Sequence, residues 1–169
     1  MKHELFVDWS PDSRDHAALL QRLANANLAN GGPGGYRNIA IIIRDSDTGE
    51  VTSGVWGIIL YGWLLIDLLF VAEADRRQGL GSRLLAAIEN AARDNGCLGC
   101  WLSMYAFQTP GFCSKNGYEL FSELGTAPAA SDTADQRLFF YRKALIGRPG
   151  RPITALSQIP SSSATAPSA

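Results

Sequence analysis

The stretch that decides the fold is residues 65–81, which read LIDLLFVAEADRRQGLG. Its start is apolar except for Asp67 and predicts a buried strand that ends at Val71. A polar loop follows, and from Gly79 to Asn95 apolar residues recur at three- and four-residue steps, as in an amphipathic helix. The stretch therefore predicts a strand, a loop and a helix whose first turn is rich in glycine.

The glycine-rich turn has the properties of an anion-binding site. The first backbone N–H groups of a helix have no acceptor inside the helix, and the helix dipole adds partial positive charge there. Gly79 and Gly81 let a bulky anion approach the backbone, while Arg76 and Arg77 add charge. We therefore predict a pyrophosphate site. A solvated surface role for Arg76 and a plain helix start for the glycines are the alternatives.

Two common nucleotide-binding motifs do not fit this turn. A dinucleotide fold requires G-x-G-x-x-G directly after its strand, but Leu84 stands at the third glycine position and the loop before Gly79 is too long. A P-loop requires G-x-x-x-x-G-K-[ST], and this turn has no such lysine. The anion is therefore expected to belong to another class of ligand.

The flanking sequence predicts one α/β domain on a mixed sheet, with the order β-α-β-β-β-α-β-α-β-β. The predicted strands are His3–Trp9, Tyr36–Arg44, Val51–Leu60, Trp63–Val71, Leu98–Met104, Tyr118–Leu124 and Gln136–Ala144. The predicted helices are one capped by Ser10 that runs to about Ala29, one over Gly79–Asn95 and one over Pro110–Asn116. We expect the domain to cover residues 1–145, and the Ser-, Pro- and Ala-rich residues 146–169 to form a disordered tail.

Composition and charge exclude several classes of function. The net charge of −1 lacks the basic excess that is typical of nucleic-acid binding. The odd number of cysteines argues against a disulfide scaffold and fits a reducing compartment. Cys97 and Cys100 have CxxC spacing without two further zinc ligands nearby. We therefore expect no metal, and two half-buried cysteines that pack as small apolar residues.

The sequence also predicts a cytoplasmic protein without a membrane partner. Its N-terminus lacks the apolar segment of a signal peptide. The apolar run Val55–Val71 is shorter than the roughly 20 residues of a membrane helix, contains Asp67 and is interrupted by glycines. Two buried strands joined by a hairpin explain this run better.

Three segments together resemble a known superfamily. The pattern R-x-x-G-x-G of residues 76–81, after a strand and opening a helix, resembles the coenzyme A-binding motif of the GNAT N-acetyltransferases. Residues 107–118, FQTPGFCSKNGY, are similar to its F-Y-x-K-x-G-[FY] segment, and residues 138–143 resemble its last strand. The similarity covers approximately residues 36–144. It implies a single-domain GNAT-like sheet, mixed but mostly antiparallel, flanked by helices.

The resemblance implies acetyl-coenzyme A as cosubstrate and assigns roles to the turn and its neighbours. The backbone N–H groups of residues 78–82 would hold the pyrophosphate. The end of the strand would pair with the pantetheine arm, and one of its N–H groups would polarise the thioester carbonyl. The full implied coenzyme A-binding set is Leu69, Phe70, Val71, Arg76, Arg77, Gln78, Gly79, Leu80, Gly81, Ser82, Gln108 and Phe112.

The two candidate catalytic residues are Cys113 and Asp67. Cys113 stands where the family usually has a tyrosine that protonates the departing thiolate. Its thiol could donate that proton, leave the task to a water, form an acetyl-cysteine, or simply be packed and inert. Asp67, alternating with Leu65 and Leu69, is either a hydrogen-bonded structural group or the base that deprotonates the amine, and Glu73 is a second candidate base.

The resulting hypothesis is an N-acetyltransferase in which an amine of a small molecule or peptide attacks acetyl-coenzyme A directly, in a ternary complex. Trp101, Ser103 and Tyr105 either shape the acceptor pocket or belong to the core. A coenzyme A-binding module with little catalysis is the alternative, because Cys113 replaces the tyrosine. An interaction domain with a decayed site is a third reading. Relatives are often dimers, so a homodimer is a further possibility.

Overall fold

The computed structural model describes residues 5–32, 36–125 and 136–145. The predicted tail at 146–169 lies outside these ranges and stays a prediction, as do the bounds of a domain over 1–145. The helices are α1 (Ser13–Ala29), α2 (Leu80–Asp94) and α3 (Pro110–Lys115), with one 3₁₀ turn at Glu73–Asp75. The strands are β1 (Tyr36–Arg44), β2 (Val51–Leu60), β3 (Trp63–Phe70), β4 (Gly99–Tyr105), β5 (Glu119–Leu124) and β6 (Leu138–Ala144).

The N-terminal segment differs from its prediction. Leu5–Trp9 forms no strand, although it is rich in β-forming residues, and its apolar side chains are exposed; His3 and Glu4 lie outside the described residues. The first helix begins after Asp12 rather than Ser10, because the Asp12 carboxylate accepts the Arg14 N–H at 2.8 Å and so caps the helix. The predicted end at Ala29 is confirmed.

The strands of the described residues form one six-stranded sheet with the order β1-β2-β3-β4-β6-β5. Only β3 and β4 are parallel, and α2 connects them; the other four pairs are antiparallel. The predicted class, a mixed and mostly antiparallel sheet flanked by helices, is confirmed. From β1 to β6 the predicted strands are all present, with ends shifted by at most two residues.

The core lies between α2 and one side of the sheet. Leu84, Leu85 and Ile88 of α2 are buried together with Leu64 and Ile66 of β3. The apolar stripe predicted for this helix is therefore confirmed as its buried side. We call the other side of the sheet the open face. Its side chains are more exposed than those of the α2 side, and they include Trp56, Leu68, Phe70, Ser103 and Tyr105.

In the described ranges, α1 has no buried residue, and its Asn27 amide donates a hydrogen bond to the Tyr61 hydroxyl at the β2–β3 turn. No helix of these ranges has both the length and the apolar composition to cross a membrane.

Candidate functional site

A gap opens in the middle of the sheet where β3 and β4 separate. The two strands pair over Trp63–Ile66 and Gly99–Leu102 only. In the described residues, the rest of β3 (67–70) and of β4 (103–105) have no partner across the gap. The backbone of both strands is therefore available to an extended ligand.

A bulge in β3 lies at the start of this gap. Leu68 is opposite Trp56 and Ile66 is opposite Gly57, so Asp67 is the extra residue. The bulge breaks the alternation that we expected from Leu65 to Leu69. As a result Asp67 is exposed, and its carboxylate makes no hydrogen bond within the described residues. Of the two alternatives for Asp67, the hydrogen-bonded structural role finds no partner among the described residues, and the role as a base stays a prediction.

A buried serine fixes the end of β3. The Ser53 hydroxyl on β2 accepts the Ala72 N–H at 3.0 Å, and Ser53 is fully buried. The hydrogen bond ties the residue after the predicted strand end to the neighbouring strand. Sequence reasoning missed Ser53; the one signal was a small polar residue within the apolar alternation of β2.

The turn before α2 presents a row of unpaired backbone N–H groups. Gly79 caps the helix with φ of +79°, and Arg77 also has a positive φ, +61°. The first helical donor to find an acceptor is the Arg83 N–H, which bonds the Gly79 carbonyl at 3.1 Å. In the described part of the chain, the N–H groups of residues 78–82 donate to no protein acceptor. Five adjacent donors at a helix start are the kind of arrangement that can bind an anion.

The polar side chains of this turn stabilise its loop. The Arg76 guanidinium donates to the Val71 carbonyl at 3.1 Å, and the Gln78 amide donates to the Ala74 carbonyl at 2.9 Å. Arg77 is exposed. Arg76 is exposed, and its side chain also ties the strand end to the loop, so its role in binding an anion stays a prediction.

Three elements meet at Gly81. A Cβ built on Gly81 would lie 3.3 Å from Phe112 of α3 and 3.6 Å from Val71 after β3. A Cβ on Gly79 would meet no atom within 4 Å. Gly81 thus permits close packing, and Gly79 faces open space from which an anion can approach. Because the space beside Gly79 is open and the neighbouring N–H groups have no acceptor, the residues of this turn fit the diphosphate end of coenzyme A.

The remaining implied residues fall on both sides of the turn and the gap. Leu80 and Leu69 are partly buried against the core, Ser82 is partly buried, and Phe70 is exposed on the open face. Across the gap, the side-chain amide oxygen of Gln108, Oε1, accepts the Tyr105 N–H at 2.8 Å. Gln108 therefore holds the end of β4.

Cys113 is packed and protonated. It is 1% exposed, and its Sγ lies 3.3 Å from the Met104 Sδ. Burial raises the pKa of its thiol to about 11. A thiol of this kind is a poor nucleophile because the thiolate is disfavoured. It is also a weaker acid than an ordinary thiol, whose pKa is 9.0, so proton transfer from Cys113 to a departing thiolate is unfavourable.

Sequence reasoning also missed a polar cluster on the α2 side of the sheet. Buried Glu89 accepts from the Tyr118 hydroxyl at 2.8 Å and from the Lys143 Nζ at 2.6 Å. The Tyr118 hydroxyl is also 3.1 Å from the Cys100 Sγ. Desolvation, followed by these neighbours, raises the pKa of Tyr118. Cys97 and Cys100 are free thiols and fully buried rather than half-buried.

Comparisons with known proteins agree with this geometry. The family described as Acetyltransferase (GNAT) domain matches residues 37–120. A crystal structure of a protein from Agrobacterium tumefaciens that is assigned as an acetyltransferase is 30% identical to this chain, with a TM-score of 0.72. The structural match covers 84% of this chain and 99% of that protein. The chain belongs to the GNAT acetyltransferase family. The predicted superfamily is therefore confirmed, and the unpaired turn at α2 lies within the matched GNAT residues.

Two relatives of this chain are named for acetyl transfer. This GNAT chain is 41% identical over 91 residues to Acetyltransferase Atu2258 of Agrobacterium fabrum, a match over 54% of this chain. It is 40% identical over 83 residues to the Blasticidin-S acetyltransferase of Streptomyces morookaense, a match over 48% of this chain. The matches span 66% and 61% of those relatives, less than two thirds of either.

Proposed function

We propose that this GNAT chain is an N-acetyltransferase that moves an acetyl group from acetyl-coenzyme A to an amine by direct attack in a ternary complex. The observation that carries the proposal is the row of unpaired N–H groups at residues 78–82, directly after a strand whose end has no partner across the gap. The turn offers a site for the pyrophosphate, and the strand offers one for the extended pantetheine arm.

The gap would direct the thioester toward the open face. Backbone groups of Leu69 and Val71 would bond the pantetheine arm as an added strand does, with Phe112 and Gln108 on the far side. One N–H group of β3 would polarise the thioester carbonyl and stabilise the oxyanion that forms when the amine attacks. The Ser53 hydrogen bond holds Ala72 and so keeps this strand end in place.

Asp67 is the base that we favour. An alkylammonium has a pKa near 10.4 and must lose a proton before it attacks. The bulge leaves the Asp67 carboxylate exposed and without a protein partner in the described residues, beside the opening of the gap. It would accept the proton through a water. Glu73, exposed in the loop, is the alternative.

A water is the proton donor that we favour for the departing thiolate. The thiol of Cys113 is buried against Met104 and has a pKa raised to about 11, which opposes both its acid role and the acetyl-cysteine route. Cys113 then acts in packing.

A small-molecule amine is the acceptor that we favour over a peptide. The relative from Streptomyces morookaense is named for acetylation of blasticidin-S, which supports a small molecule. The three cysteines are free and buried, which supports the proposal of a reducing, cytoplasmic location. A homodimer and the absence of nucleic-acid and membrane partners stay predictions.

A coenzyme A-binding module with little catalysis is the second candidate. The neutral, buried Cys113 favours it, because no side chain then takes the role that the resemblance assigns to tyrosine. This candidate predicts binding without thiol release across a broad amine panel.

The test is a matched pair of glycine variants. Gly79→Leu and Gly62→Leu both replace a glycine with φ of +79° and with no atom within 4 Å of a built Cβ, so their cost in stability should be similar. We expect Gly79→Leu to weaken coenzyme A at least about tenfold in calorimetry, since a hydrogen bond to a charged group contributes about 1.5–3 kcal/mol. Gly62→Leu, in the β2–β3 turn, should bind as the wild type does.

Turnover is measured in the same proteins as thiol release from acetyl-coenzyme A with added amines. Wild-type release that is lost in Gly79→Leu supports the proposal. Coenzyme A affinity that survives in Gly79→Leu would contradict the assignment of the turn. Binding without release from any amine favours the binding module.

A further inference from the structure

On the open face beside the gap, one carboxylate lies next to exposed apolar side chains. Ile66 is buried on the α2 side, whereas the next residue, Asp67, is the exposed bulge residue, and Leu68 lies opposite Trp56 on the open face. The bulge thus brings Asp67 and Leu68 to the same side of the sheet. A charged acceptor group and an apolar contact are therefore adjacent in the chain and on the same surface.

The apolar walls stand on both sides of the gap. On the β2–β3 side, Trp56, Leu68 and Phe70 are 38%, 64% and 58% exposed. On the β4 side, the ring of Tyr105 stacks on Phe107 with centroids 5.4 Å apart and an interplanar angle of 11°. Since β3 and β4 pair as far as Ile66 and Leu102, both walls begin at the same point of the sheet.

These exposed apolar side chains do not serve the core. The core lies on the α2 side, and no described residue of α1 is buried. An exposed apolar cluster next to a functional gap indicates a surface that binds something. Aromatic rings also attract a cation through their faces, so the walls and Asp67 favour the same sign of charge.

We propose, on the basis of the proposed function, that the acceptor is a small cationic amine attached to a flat apolar body. The ammonium group would pair with Asp67, and the body would lie between the β2–β3 wall and the Tyr105–Phe107 pair. A strongly hydrophilic amine would leave the walls in contact with water, and a carboxylate next to the amine would be repelled by Asp67. The site therefore selects by both body and charge.

A panel of three amines tests the body and the charge separately. Tryptamine has a flat apolar body, ethanolamine lacks that body, and tryptophan adds a carboxylate beside the same amine. In thiol-release assays with acetyl-coenzyme A, we expect kcat/KM for tryptamine to exceed that of each of the other two at least about tenfold, the scale of discrimination that one apolar contact gives.

Two leucine variants locate the effect on the protein. Leu68→Ser removes a wall residue that is 64% exposed, and Leu98→Ser removes a leucine that is 69% exposed and directly precedes β4, next to its paired end. We expect Leu68→Ser to raise KM for tryptamine roughly tenfold, with unchanged KM for acetyl-coenzyme A and for ethanolamine. Leu98→Ser should change none of these constants.

Three results would overturn the proposal. Thiol release that is as fast with ethanolamine as with tryptamine overturns it while leaving the acetyltransferase function intact. An unchanged tryptamine KM in Leu68→Ser, with a lower melting temperature than Leu98→Ser, means that α1 or a second copy of the chain covers this face. The absence of thiol release with every amine overturns both this proposal and the proposed function.

Discussion

The two sides of the sheet differ in burial and in how far their polar groups are paired. On the α2 side, Leu64 and Ile88 are fully buried and even the charged Glu89 has two hydrogen-bond partners. On the open face, Leu68 and Phe70 are more than half exposed and Asp67 has no protein partner within the described residues. The same strand, β3, supplies both sides. The two sides therefore differ in burial and in hydrogen-bond partners, and the proposed acceptor surface depends on this difference.

The largest expected effect comes from breaking the polar cluster of the α2 side. Glu89→Ala leaves Tyr118 and Lys143 without their shared acceptor in a buried environment. We expect it to lower the free energy of unfolding by about 3–5 kcal/mol, the range for removing one partner of a buried pair. Urea unfolding followed by circular dichroism measures it.

The control for Glu89 is an exposed pair. Glu119 accepts from Arg142 at 2.7 Å, and both side chains are mostly exposed. Glu119→Ala should cost less than about 1 kcal/mol, because exposed ion pairs contribute little. Equal losses from the two variants would show that the α2 side is not the stabilising one.

A pair of leucines on the same strand compares the two sides directly. Leu64→Ala creates a cavity on the α2 side and should cost about 2–5 kcal/mol. Leu68→Ala, on the open face, should stay within about 0.5 kcal/mol of the wild type, as surface substitutions usually do. Urea midpoints at equal m-value measure both. A large loss in Leu68→Ala would mean that the open face is covered in solution.

The smallest effect concerns pH and the buried thiol of Cys113. Burial raises its pKa from the ordinary 9.0 to about 11. Because the folded-state pKa is the higher one, its stabilising contribution is complete below pH 9 and is lost as the pH rises through 11. We expect the wild type to lose about 2 kcal/mol more than Cys113→Ala between pH 9 and 11.

That contribution is measured as the difference between two curves of unfolding free energy against pH, one for each protein. Other groups titrate in the same window, but they are common to both proteins and cancel. Parallel curves would show that the Cys113 thiol is accessible to water, which would also restore it as a candidate acid.

The fold was predictable where one period dominated the sequence. The strand and helix of residues 65–95 follow from an apolar run and a strong 3.6-residue period, and the turn between them follows from its glycines and arginines. The N-terminal strand was not predictable in this way. Leu5–Trp9 has the composition of a strand but finds no partner strand within the described residues, and pairing decides a strand more than composition does.

The site was predictable in its backbone and less so in its side chains. The turn with unpaired backbone N–H groups lies at the residues of the motif. The environment of Asp67, by contrast, depends on a β-bulge that no residue type in the sequence predicts. The burial of Cys113 depended on the position of Met104 on another element. The Glu89–Lys143 pair joins residues 54 positions apart, beyond any local pattern.

The short ladder between β3 and β4 has a mechanical consequence. Within the described residues, β3 and β4 pair only over Trp63–Ile66 and Gly99–Leu102, so this ladder is a short seam between the half-sheet β1–β3 and the half-sheet β4–β6. A ligand arm inserted beyond this ladder would form hydrogen bonds with the unpaired parts of β3 and β4, and would so connect the two half-sheets along the rest of their length. Occupancy would then stiffen the whole sheet, and amide hydrogen exchange along the seam would slow although no residue of the ladder touches the ligand.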